Sequence, residues 1–369
     1  MNRLFRWDQT GLFLLALAAG ILPFAVPEVC AAALREGLTL CSGPLLLSLF
    51  PFLVVSRLLI QCPESDLLAL PFRLAAWGIG IRTPCAARVL CIGFLGGFAP
   101  AASAAAQAVR TGQLTAEEAD ALLPACICSG PSFVVLTVGQ SLLGSAELGV
   151  LLFASQITAN YLTAALLNRF AGVRSVKPRS AAPASPAPPR LDEILADAAI
   201  TYCKLCGFIL FFRLLAAGAG ALLPAGAGTL CSILLEVCSG CDLASRTGRW
   251  GSLLCCAALS VQGLSVLLQV RTICPPEMTL RPLYRARMLH LPLSLALFYL
   301  LLPGGEADVF STLPARVLLM RRVPPDCALL VFAVCCMAAC TLRSGIRQVE
   351  QKQMARNAGG CCINSKTLL

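Results

Sequence analysis

Charge is scarce in this chain. Only 13% of its 369 residues are Asp, Glu, Lys or Arg, and there is one histidine, His290. A soluble domain of this length carries about twice that share of charge, so a water-soluble globular protein is excluded. The lone histidine, with cysteines at irregular spacing, leaves no zinc site of Cys/His type. His-Glu-x-x-His, Gly-x-Ser-x-Gly and P-loop signatures are all missing, so no catalytic residue is assigned. A serine nucleophile would need His290 beside Ser129 or Ser132, which nothing in the sequence supports. His290, between Arg287 and Pro292, reads instead as a membrane-boundary residue. Aromatics make up 7% and form no basic stripe with interleaved rings, so the net charge of +10 is not a nucleic-acid signal.

What is abundant is apolar sequence: 57% of the chain, with a mean hydropathy of +0.79. Apolar runs at Gly11–Pro27, Ser42–Ile60, Leu148–Leu167, Cys203–Leu223, Gly251–Val270 and Cys327–Leu342, and a short one at Leu289–Leu302, approach the ~20 residues that cross a bilayer core. Interrupted apolar pieces lie near 85–111, 121–143 and 229–245. The fold class is all-α: a polytopic integral membrane protein with broken or re-entrant helices. No cofactor is implied, and the lipid bilayer is its first partner. The 21 cysteines fall mostly inside these runs and read as small, soft apolar residues. The alternative is a thiol site at Cys126-x-Cys128 or Cys238-x-x-Cys241.

The cationic residues flank the spans, as membrane orientation requires. Arg3 and Arg6 precede a first span with no small-x-small cleavage site, which reads as uncleaved. The chain divides into an N-terminal span and interfacial segment (1–40), a first membrane repeat (41–170), a Pro/Arg-rich cytoplasmic linker (171–190), a second repeat (191–305), a loop and last span (306–343) and a basic cytoplasmic tail (344–369). A short amphipathic helix is expected at Leu191–Ile200, and a cytoplasmic return at Arg271–Arg287. With linker and tail both inside, the span count closes only if 229–245 enters and leaves from the outer side. The location is a cell membrane, with many passes.

The chain is organised around Gly96–Pro131. Gly96-Gly97-Phe98-Ala99-Pro100 opens it and Ser129-Gly130-Pro131-Ser132-Phe133 closes it. Between them lie an Ala-rich helix and a polar turn, followed by a helix that starts at the capping box Thr115-Ala116-Glu117-Glu118. Gly/Pro breaks inside apolar sequence leave backbone groups unsatisfied unless they are buried in protein or line a wet cavity. A faint echo runs from Ile233 to Ser265. Phe94-Leu95-Gly96-Gly97 parallels Leu235-Glu236-Val237-Cys238-Ser239-Gly240, and Gly130-Pro131-Ser132 parallels Gly263-Leu264-Ser265. Arg57 and Arg213 occupy matching places, where snorkelling accounts for both. Paired discontinuous segments of this kind point to a transporter-type site.

Leu49-Phe50-Pro51-Phe52, Gly97-Phe98, Thr111-Gly112-Gln113-Leu114-Thr115-Ala116-Glu117-Glu118-Ala119 and Ser129-Gly130-Pro131-Ser132-Phe133, taken in order, resemble the YlbJ-type sporulation integral membrane proteins. So do Leu234-Leu235-Glu236 with Ser239-Gly240, and Gln262-Gly263-Leu264-Ser265-Val266. The resemblance covers about residues 40–305. It implies two weakly similar nucleoside-recognition (Gate) repeats, related to segments of concentrative nucleoside transporters and of the ferrous-iron permease. It also implies a bacterial spore former and a role in making resistant spores. Two departures stand out. The family's Gly-Tyr-Pro break is here Gly97-Phe98-Ala99-Pro100-Ala101. Where relatives carry paired Asn, this chain has Ile127-Cys128, which argues against binding a sugar or base.

The candidate binding residues are Gly97, Ser129, Gly130, Pro131, Glu236, Ser239, Asp242 and Gln262; no metal ligands are assigned. Glu236 and Asp242 are acids in an apolar re-entrant segment, where charge is costly and usually functional. Otherwise they reach the outer interface and pair with Arg246 or Arg249. Ser129, Gly130 and Pro131 either turn helix-end amides to a ligand or form a simple kink. Gln262 and Gln269, seven apart, share a helix face as interhelical glue or as a polar pathway. Ser103 and Gln107 are weaker candidates. Two functions compete: a protein that moves or senses a small solute, nucleoside-like or an ion, during sporulation, and a non-transporting assembly factor for the spore cortex or coat that engages spore-assembly proteins through linker and tail. A wet, polar cavity between the halves favours the first; tightly packed apolar breaks favour the second.

Overall fold

Residues 9–61, 66–171 and 191–302 are described by the structure, a computed structural model. The linker, the expected span at 327–342 and the basic tail lie outside the described residues. All regular structure among the described residues is helical. Three helical stretches are long and apolar enough to cross a membrane: Ala146–Ala171, Leu191–Leu222 and Gly248–Ile273. Their outward faces, and those of neighbouring helices, carry Leu162, Leu166, Phe170, Leu234, Leu300 and similar exposed apolar side chains, as lipid contact allows. The chain is a multi-pass membrane protein.

α1 (Gln9–Ala25) and α2 (Pro27–Ser42) meet at a bend of 109°. Val26 is held out of the helical region by the proline after it, and Pro27 then starts α2. The segment 28–39 is part of α2 and packs on the rest of the fold. Its buried face, Cys30, Ala33, Gly37 and Cys41, consists of small residues at helical spacing, which let α2 lie close along α9 (Leu191–Leu222). A β-carbon on Gly37 would come within 2.8 Å of Leu210. The Tyr202 hydroxyl donates to Cys41 O, and Arg213 pairs with Glu36 at 2.6 Å. The amphipathic segment at 191–200 and the span after it are one continuous helix, α9. Its first three turns bury Ile194 and Ala198 and run straight into the apolar stretch.

α3 (Pro44–Gln61) and α4 (Leu70–Gly78) lead to α5 (Pro84–Gly96) and α6 (Phe98–Arg110), which join directly at Gly97. A β-carbon on Gly93 would lie 3.1 Å from that of Ala101. Residues eight apart in a straight helix are about 12 Å apart along its axis, so the chain folds back at Gly97 as a re-entrant hairpin. α7 (Ala116–Cys126) starts at the expected capping box, with the Thr115 and Glu118 side chains each bonded to the other's amide. After the break at 127–131 comes a π-helix, Ser132–Leu142, and not an ordinary α-helix. Its wide turn sets Gly139 against Gly149 of α8 (Ala146–Ala171).

The second half repeats this plan. α10 (Ala225–Leu235) and α11 (Val237–Ser245) join at Glu236. Gly240 lies against Ile233, where a β-carbon would meet Ile233 Cα at 2.8 Å, so this pair also folds back. α12 (Gly251–Val261) and α13 (Gly263–Ile273) form one span interrupted at Gln262. α14 (Arg281–Leu301) closes the described chain. Only its approach, 274–280, is a loop. Asp120 of α7 holds that loop by accepting from Thr279 N (2.8 Å), Thr279 Oγ1 (2.6 Å) and Leu280 N (3.1 Å).

Gly97 has φ 81 and ψ −161, a region essentially restricted to glycine. A β-carbon there would also sit 2.7 Å from Gly130 N. Gly112 has φ 70 with open space around it. Gly97→Ala is therefore expected to lower stability in detergent by roughly 2–4 kcal/mol, from strain and clash together, and Gly112→Ala by about 1 kcal/mol from strain alone. Thermal unfolding of the two purified variants checks this; equal losses would mean that the Gly97–Gly130 approach is not tight.

Candidate functional site

In each half the tip of the re-entrant hairpin touches the break in the helix that follows. Gly97 approaches the backbone of Cys128 and Gly130; Gly263 approaches Leu235 O and Glu236 N, both 2.9 Å from a β-carbon placed on it. Both contacts rest on a glycine with positive φ, 81 at Gly97 and 67 at Gly263. The two crossings face one another across a cavity of about 50 Å³, walled by Gly96, Phe98, Ser129, Gly130, Glu236 and Gln269, among others. A volume of this size holds roughly three to five waters.

Each break leaves helix ends to be satisfied, and two buried charges do it. Glu236 is extended (φ −150, ψ 127) and 2% exposed. Its carboxylate accepts from Cys238 N at 2.9 Å and Ser239 N at 2.7 Å, the first free amides of α11. An anion at a helix N-terminus gains from both the hydrogen bonds and the dipole. The opposite ends belong to Arg287 of α14. It donates to Ile127 O, the carbonyl that caps α7, at 2.8 Å, and to Ser260 O in the last turn of α12 at 3.4 Å. Its Nη2 also reaches Asn160 Oδ1 at 3.3 Å. The guanidinium thus bridges the negative ends of a broken helix from each half.

Around Arg287 runs a buried polar network. Gln156 donates to Ser260 Oγ at 2.9 Å, Ser260 and Ser294 hydroxyls lie 2.5 Å apart, and His290 Nε2 lies 3.2 Å from Gln156 O. His290 is 1% exposed and belongs to this buried network. Arg287 likewise belongs to a buried helix face and not to a polar return loop.

Of the sequence candidates, the fold brings Ser129, Gly130 and Glu236 to the cavity wall, with Gly97 at the first crossing beneath it. Pro131 starts the π-helix, and Ser239 contributes a main-chain amide to Glu236. Asp242 takes no part: it pairs with exposed Arg246 at 2.9 Å, one turn along α11. Gln262 and Gln269 do not share a helix face, because the helix is interrupted between α12 and α13. Gln262 is a break residue with φ 63, and neither its amide nitrogen nor its amide oxygen has a partner. Gln269 lines the cavity, donates to Ser265 Oγ at 2.9 Å and leaves its Oε1 unpartnered. The two repeat-related arginines are each ion-paired to another helix. Arg57 pairs with Asp197 at 2.5 Å and Arg213 with Glu36.

Sequence reading missed Arg287, Gln156 and Asn160. The signal was present: Gln156, Asn160 and Thr163 fall at helical spacing in the long apolar run of α8, and all three are buried. Ile127 and Cys128 are buried too, and the polar capacity at this break is the carbonyl of Ile127. Among the described residues no group of three or more His, Cys, Asp or Glu side chains stands together as a metal site. No family model, curated protein or solved structure matches the chain.

If Arg287 neutralises the carbonyl ends of α7 and α12, Arg287→Met removes its donors from both and leaves Ile127 O with only the 3.5 Å contact from Asn160 Nδ2. The expected loss is about 2–4 kcal/mol, read as a lower unfolding temperature in detergent, with Arg287→Lys intermediate. A Met variant as stable as the wild type would show that the charge is held there for another purpose.

Proposed function

We propose that this chain is a non-enzymatic membrane protein of transporter-like, Gate-type fold that moves or senses a small solute. The carrying observation is the cavity between the two crossings, whose wall includes Glu236, with its carboxylate, and Gln269, whose amide oxygen has no partner. Both groups accept hydrogen bonds or coordinate cations, and broken helices meeting at such a point are the usual way to build a transporter site. Its size favours a small cation over a nucleoside, which would need the two halves to part.

The setting in spore formation, and membership of the YlbJ-type proteins, rest on the order of motifs from Leu49 to Val266. A second reading, as a membrane assembly factor for the spore envelope, is favoured by the first crossing: Ile127 and Cys128 are buried there and Gly97 packs directly on Gly130.

The discriminating experiment uses a sporulating host that lacks its own homologue and counts heat-resistant spores at matched protein levels. Glu236→Gln keeps an oxygen to cap α11 but removes the charge. It is expected to abolish heat-resistant spores, and deletion of Ala181–Pro189 in the linker is expected to leave them unchanged. The reverse pair of outcomes would remove the transport reading and favour partner capture. In parallel, NaCl is expected to raise the unfolding temperature of the purified wild type relative to choline chloride, and not that of Glu236→Gln.

A further inference from the structure

A second cavity, larger and more polar, lies between α3, α6, α9 and α13. Its volume is about 170 Å³, enough for on the order of a dozen waters. Three cations line it, one from each of three helices: Arg57 of α3, Arg110 at the end of α6 and Lys204 of α9. Among the described residues Asp197 is its one acid, and Ser103 and Thr201 supply hydroxyls.

The charges do not balance. Asp197 takes the Nη1 of Arg57 at 2.5 Å, leaving Arg110 and Lys204 without a carboxylate among the described residues of the cavity wall. Arg57 is itself only partly used. Its Nη2 lies 3.4 Å from Thr201 Oγ1, and its Nε is buried with no acceptor. Arg110 also has a use inside the fold, since a cation in the last turn of α6 complements the helix dipole. That accounts for neither Lys204, in the middle of α9, nor the open Nε of Arg57. A polar cavity with net positive charge and spare N–H donors fits a tetrahedral oxyanion, whose several oxygens can take N–H groups from different helices at once.

The cavity lies at the Leu191 end of α9, which the basic sequence of 172–190 precedes. By the positive-inside rule this is the cytoplasmic face, where basic pockets between membrane helices receive anionic headgroups. We propose that this cavity is a phosphate-binding site, held by Arg57, Arg110 and Lys204 and independent of the cavity at the crossings. The phosphate belongs to an anionic lipid or to a free cytoplasmic phosphate.

The test compares the full-length wild type with the double variant Arg110→Gln/Lys204→Gln, which keeps the Arg57–Asp197 pair, and with Glu236→Gln, which leaves this cavity untouched. Each protein is reconstituted in phosphatidylcholine nanodiscs with and without phosphatidic acid. Separately, each is titrated in detergent with sodium phosphate against sodium chloride at equal ionic strength. Thermal unfolding is the readout.

Stabilisation of the wild type and of Glu236→Gln by phosphatidic acid alone, with a half-maximal concentration on the order of thirtyfold higher in the double variant, assigns a lipid. The thirtyfold corresponds to about fivefold for each charge removed. The same pattern with inorganic phosphate assigns a free anion. Equal responses in the wild type and the double variant, or no response to either phosphate, overturn the site.

Discussion

Breaking a helix inside a bilayer leaves backbone amides and carbonyls that water cannot reach, and this fold depends on how those groups are satisfied. Two side chains bear most of that load. Glu236 supplies a carboxylate to the amide end of α11, and Arg287 supplies donors to the carbonyl ends of α7 and α12. Each charge, buried as it is, would be costly alone. Each is tolerable because it meets partial charges of opposite sign that the breaks themselves create. The acid at an amide end and the base at two carbonyl ends form one arrangement. Since Arg287 contacts a break in each half, it also ties the halves to one another.

The crossings add a geometric constraint. For a hairpin tip to reach the break beside it, backbone must meet backbone, and a β-carbon at Gly97 or Gly263 would fall within 3 Å of the opposing chain. The second half meets the demand differently from the first. At the first tip the turn is glycine, in a conformation no L-residue shares. At the second tip the residue is Glu236 in ordinary extended backbone, and the left-handed positions have moved to the facing break, Gln262 and Gly263. One architecture is thus reached with the special conformations on opposite sides of the contact.

Much of this was legible in the sequence. Gly-Gly and Gly-Pro pairs within apolar runs marked the breaks, and Thr115 with Glu118 marked the start of α7. The recurrence of Leu235-Glu236 after Leu95-Gly96 placed the second hairpin. What escaped was long-range. A capping carboxylate and its amides are two or three residues apart, so local reading finds Glu236. Arg287 caps a carbonyl 160 residues away, and by local pattern it was one more arginine in a basic stretch. The same reason explains Asp120, whose partners Thr279 and Leu280 belong to another part of the chain. The ion pairs of Arg57 and Arg213 escaped because their acids lie on other helices. The packing of segment 28–39 escaped because its buried face is made of small residues, which carry little hydropathy and gain their value only from the close approach of α9.

The two crossings also differ in what they leave unspent. At the first, the break side chains are Ile127 and Cys128, and the exposed carbonyl is taken by Arg287, so its hydrogen-bonding capacity is used within the fold. At the second, Gln262 is a non-glycine residue in left-handed backbone with both amide atoms unpartnered, and Gln269 Oε1 is free. Left-handed backbone at Leu280 has a structural cause, since Asp120 grips the successive amides of Thr279 and Leu280. Gln262 has no such grip. Strain without an internal beneficiary, next to unsatisfied polar atoms and a carboxylate, is the pattern that functional sites share. At the two crossings, therefore, the unused polar atoms lie on the side of the second half, at Gln262 and Gln269, and face a first break whose carbonyl is already taken.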